Sequence, residues 1–70
     1  MTATKAEHLL REVLTRTWQA EPELVRFVKT NLARPVPDDV VRTALDLLAA
    51  RGLAEARKFP GYPHLHWRKA

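Results

Sequence analysis

The chain has 70 residues, enough for one small domain and too few for two. It contains no cysteine, which excludes disulfides and leaves thiolate zinc sites without ligands. Twelve Lys/Arg against eight Asp/Glu give a net charge of +4. A chain this short buries only about 60% of the surface its unfolded form exposes. Its stability must therefore come from helix packing, a partner chain, or both. Met1 to Lys5 leads into an amphipathic stretch, and no run approaches the roughly 18 apolar residues of a membrane span. These features predict a cytoplasmic location and no membrane partner.

The first predicted element is a helix over residues 5–18. Thr4 and Glu7 form an S/T-x-x-E capping box. Ala6, Leu9, Leu10, Val13 and Leu14 then recur at three- and four-residue spacing, and the stripe runs on to Thr17 and Trp18. A second helix is predicted over residues 22–33, opened by Pro22, whose missing N–H is no loss in a first turn. Its apolar face is Leu24, Val25, Phe27, Val28 and Leu32, and Arg34-Pro35-Val36-Pro37 ends it. The third helix is predicted over residues 38–51, with Asp38 as N-cap and Asp39 complementing the helix dipole. Val41, Ala44, Leu45 and Leu48 form its buried face, with Leu45 the centre of the core. Gly52 stops it in the left-handed conformation.

After Gly52 the helical period is lost. Strands are predicted over residues 53–58 and 64–68, around the turn-rich Phe59-Pro60-Gly61-Tyr62-Pro63. A lone hairpin is marginal in water, so Leu65 and Trp67 are expected to point onto the helices. Tyr62 in the turn is the aromatic expected to be exposed, whereas Trp18 and Trp67 are expected in the core. Positive charge concentrates here: Arg57, Lys58, Arg68 and Lys69 stand against Glu55, a net +3 over residues 54–70. Such a cluster is the footprint of a polyanion binder.

Taken together, the elements resemble the winged helix-turn-helix family, a mainly α fold of three helices with a small β-hairpin. The closest local likeness is Val41-Arg42-Thr43-Ala44-Leu45-Asp46-Leu47-Leu48-Ala49-Ala50-Arg51-Gly52-Leu53-Ala54. This stretch is similar to the recognition helix and first wing strand of bacterial regulators. The resemblance implies one winged domain spanning residues 1–70, with the third helix in the DNA major groove and the wing along the phosphates. It implies Val41, Ala44, Leu45, Leu48 and Leu53 in the core. Arg42 and Thr43 would reach base edges or phosphates from the groove side, where Asp39 and Asp46 also fall. Arg34, Arg57, Lys58, His64, His66, Arg68 and Lys69 would meet the backbone. Leu47, Ala49 and Ala50 fall where such regulators carry charges, which suggests a protein interface, such as a second copy of the chain.

Other site chemistries are weaker. His64-x-His66 supplies two ligands, and two do not make a metal site. Asp38 and Asp39 are accounted for as helix-end residues. There is no serine and no glycine-rich phosphate loop. The expectation is no catalytic residue, no metal and no cofactor. The leading functional reading is a small double-stranded DNA-binding module, as a transcriptional regulator or mobile-element accessory factor. The alternative is a winged-helix module that docks on a larger protein through its third helix, and RNA binding through the wing is a third.

Overall fold

The computed structural model describes residues 2–34 and 36–70, with side chains from Lys5 onward. Pro35, given a helix-ending role above, lies outside the described residues, as does the side chain of Thr4; the first helix begins at Thr2 and not at residue 5, so Thr4 lies within it and is not its N-cap. In chain order the elements are α1 (Thr2–Val13), β1 (Gln19–Ala20), α2 (Glu21–Asn31), α3 (Asp38–Ala50), β2 (Ala54–Lys58) and β3 (Leu65–Lys69). The strands form one antiparallel sheet in the order β1-β3-β2. The architecture is therefore three helices with a three-stranded sheet, and not a two-stranded ribbon. No helix among the described residues is long and apolar enough to cross a membrane.

α1 ends at Val13, well short of the predicted Trp18, because local side chains offer the backbone other partners. The Thr15 amide donates to Gln19 Oε1 (3.0 Å), and Gln19 Nε2 donates to the Val13 carbonyl (3.3 Å). The Thr17 amide donates to the Thr15 hydroxyl at 3.2 Å. Such bonds compete with helix continuation, and threonine resists a helix already through its branched Cβ. The chain turns and enters β1, where Gln19 pairs with Trp67 and Ala20 with His66. The Lys69 amide donates to the Thr15 carbonyl at 2.6 Å, which fastens the turn to the end of β3.

α2 has Pro22 in its first turn beside Glu21 and Glu23, as the sequence requires. α3 starts differently from expectation. Its N-cap is Pro37, which has no side-chain cap bond to give, and Asp38 is the first helical residue. The Asp38 carboxylate instead meets Lys29 Nζ at 2.7 Å. Both aspartates still lie at the positive end of the helix dipole. At the other end Gly52 has φ +74°, and the amides of Leu53 and Gly52 donate to the carbonyls of Leu48 (2.9 Å) and Ala49 (3.0 Å). This pair of bonds is a Schellman cap. In the hairpin turn Gly61 has φ +84°, and the Tyr62 amide donates to the Phe59 carbonyl at 3.2 Å. Pro60-Gly61 thus occupies the centre of a type II turn, where the third position needs positive φ.

One buried cluster joins the elements. It takes Ala6, Leu10 and Leu14 from the first segment, Leu24, Val25 and Val28 from α2, and Val41, Ala44, Leu45 and Leu48 from α3. Val36, Ala54 and Trp67 complete it. Of the residues expected to face the core, Phe27 of α2 is 41% exposed, Trp18 stands half-buried away from the cluster, and two residues of the hairpin segment also fall outside. Leu53 and Leu65 are each 38% exposed. Ala54 faces inward, and strand alternation then turns Leu53 outward. Leu65 shares the inner face with Trp67 but pairs with Lys58 at the turn end, where the hairpin extends past the helices.

Candidate functional site

Two surfaces carry the residues singled out by the sequence. The first is a groove between α2 and α3, closed at one end by His64 of the hairpin turn. Its charges come largely in pairs. Lys29 binds Asp38, and Arg42 Nε lies 3.4 Å from Glu21 Oε2. A hydrogen bond from Lys29, reinforced by its charge, holds the Asp38 carboxyl below its ordinary range against a small opposing effect of burial. Arg42, expected to read a base edge, is therefore shared with a carboxylate. The pair is half-exposed, with Arg42 on the solvent side, and is worth about 1 kcal/mol, so the guanidinium can leave, but it adds little net field to the groove. Thr43 is exposed on α3, and Arg34 is exposed on the loop before it. The remaining outward charges of α3 are Asp39 and Asp46, with Arg51 at its C-cap. Arg51 Nη1 contacts Glu7 of α1 at 2.6 Å.

The second surface is the outer face of the sheet. Cross-strand partners share a face, and the register pairs Glu55 with Arg68 and Arg57 with His66. All four therefore stand on the side away from Trp67. Arg68 is ion-paired with Glu55, and its guanidinium lies 4.5 Å from the centre of the Trp18 ring. Arg57 lies 5.2 Å from the Phe59 ring. Phe59 meets Trp18 and His66 edge to face at 5.5 and 5.1 Å, and Tyr62 meets His66 the same way at 5.3 Å. His66 is half-buried in this ring of aromatics and so is not a free phosphate contact; its Nδ1 is buried without a hydrogen-bond partner among the described residues. Trp18, expected in the core, instead stands half-buried on this outer face.

The predicted cations are thus divided. Arg57 and Arg68 share the outer face, while Lys58 and Lys69 alternate to the opposite one at the two ends of the hairpin. Both lysines are exposed, and Lys58 Nζ also donates to the Pro63 carbonyl at 3.1 Å. His64 is exposed in the turn. Of the proposed interface residues, Leu47 and Ala50 are exposed, but Ala49 packs against the core and is corrected to a supporting position.

Comparison with family models, characterised proteins and solved structures finds no match to this chain.

Two features of the site escaped the sequence reading. Glu21 joins α2 to β3 and α3 at once, through Trp67 Nε1 at 3.1 Å and through Arg42. The aromatic cluster needs the hairpin register before it can be seen. Residues 55, 57, 59, 66 and 68 share one parity pattern, but the length of the turn fixes which strand positions face each other.

Proposed function

We propose that the protein is a nucleic-acid-binding module of winged-helix layout that holds duplex DNA mainly through the β2–β3 hairpin. The observation that carries this reading is the distribution of charge among exposed side chains. The hairpin presents Arg57, Lys58, Lys69 and His64, and its one carboxylate, Glu55, is already matched by Arg68. The outward side of α3 holds Asp39 and Asp46, and Arg42 is matched by Glu21. Phosphates are therefore drawn to the hairpin, with α3 lying alongside and contributing Thr43 and a released Arg42. The order helix, strand, helix, helix, strand, strand is consistent with that layout. Binding of this kind is largely sequence-independent, because phosphate contacts position and only base contacts specify.

Titrating labelled protein with random-sequence duplex tests the reading. Amides of residues 54–58 and 64–69 should shift first and furthest. Shifts confined to α3, or none at low salt, would overturn it. The alternative, docking on a protein through α3, draws support from a separate observation. Leu47, Ala50 and Leu53 are exposed at the C-terminal end of that helix. That reading expects no response to duplex at all.

A further inference from the structure

We infer that the outer face of the sheet carries a pocket for one unpaired nucleobase, beside the duplex-binding hairpin. The inference rests on the nucleic-acid reading above and adds a single-stranded subsite to it. Trp18, Tyr62, His64, His66 and Glu23 line a cavity of about 350 Å³. That volume sits at the low end of the range for small-ligand sites, about 300–1,000 Å³, and suits one nucleoside.

Three observations set the chemistry of the occupant. The first is aromatic. Tyr62 is 60% exposed, more than any other large apolar side chain described, and it stands at the cavity with Trp18 and His66. A side chain that costs free energy by lying in water is a ready surface for a planar ring, and every base has a π-face to offer. The second is polar. His64, exposed at the cavity, carries an imidazole that can donate or accept a hydrogen bond. Glu23, exposed at the rim, can accept a hydrogen bond from a base amino group. The third is charge. Arg57 shares the outer face with these rings, beside the Arg68–Glu55 pair, so a backbone leaving the pocket meets a cation. Aromatic walls, a polar edge and a nearby arginine are together the requirements of a single-strand stacking site.

The test compares a blunt duplex, the same duplex with a 3′ single-stranded tail, and a free strand of about eight nucleotides, within the usual range of single-strand site sizes. Each is titrated against wild type, Tyr62→Ala and Tyr62→Phe by fluorescence anisotropy. Tyr62 is exposed, so neither change disturbs the core. The tailed duplex should bind about tenfold more tightly than the blunt one, as expected for one stacked base. Tyr62→Ala should erase that advantage and leave blunt-duplex affinity within about twofold, whereas Tyr62→Phe should keep it. Equal affinity for tailed and blunt duplex in wild type, or an advantage that survives Tyr62→Ala, would overturn the pocket. Blunt binding with no tail advantage sinks this inference alone. If blunt duplex does not bind, the duplex reading fails, and the free strand decides the pocket: Tyr62-dependent binding sustains it and its absence ends it.

Discussion

At the scale of single residues, Glu21 fastens the sheet to the helices. One carboxylate oxygen accepts from the indole N–H of Trp67, which is 2% exposed, and the other faces Arg42. The two roles separate by substitution. Glu21→Ala leaves a buried donor unpaired and should cost about 1–3 kcal/mol in urea unfolding. Glu21→Gln keeps an acceptor and loses only a half-exposed ion pair, so it should cost less than about 1 kcal/mol. Equal losses in the two variants would show that the charge pair, and not the indole bond, holds the junction. Trp67 was legible as a core residue because it alternates with polar neighbours in a short strand. Leu53 and Leu65 were not, because an apolar residue in a strand has two faces and a finite helix layer to meet. A displacement of one residue reverses the face, and a displacement of two moves a side chain beyond the core.

At the scale of elements, the stop signals decide how the helices hand over to the sheet. Gly52 is positioned by two reverse hydrogen bonds at positive φ, and a Cβ there would meet nothing within 4 Å. Gly52→Ala should therefore cost only backbone strain, about 1–2 kcal/mol in chemical denaturation. Gly52→Asn should cost less, since asparagine tolerates that conformation. A neutral alanine variant would mean that the cap is dispensable. Gly52 and the Pro60-Gly61 turn were readable because their geometry is local. β1 was not: it has two residues, too few for any period, and exists only because β3 is there to pair with. The end of α1 was misread for a related reason. The apolar stripe continues to Trp18, but Thr15, Thr17 and Gln19 redirect the backbone, and Trp18 finds Arg68 and Phe59 on the sheet.

At the scale of the whole molecule, the chain packs into about 34 × 23 × 17 Å, and its charge is unevenly spread. Glu21 and Glu7 answer Arg42 of α3 and Arg51 at its C-cap, and residues 54–70 carry most of the net positive charge. This asymmetry was visible in the sequence as a composition shift after residue 53. Which cations are spoken for was not visible, because the partners Glu21 and Arg42, or Glu7 and Arg51, meet only in the fold. We propose that the hairpin, and not α3, holds duplex DNA. The most direct test is the dependence of duplex affinity on salt. Arg57, Lys58 and Lys69, with Arg34, allow three to four phosphate contacts, so log affinity against log salt should fall with a slope of about −3 to −4. Replacing Lys58 and Lys69 together with glutamine should flatten that slope by about two, while Arg42→Gln should leave it nearly unchanged. A slope near zero, or one that Arg42→Gln flattens and the double lysine change does not, would show that the hairpin does not hold the duplex.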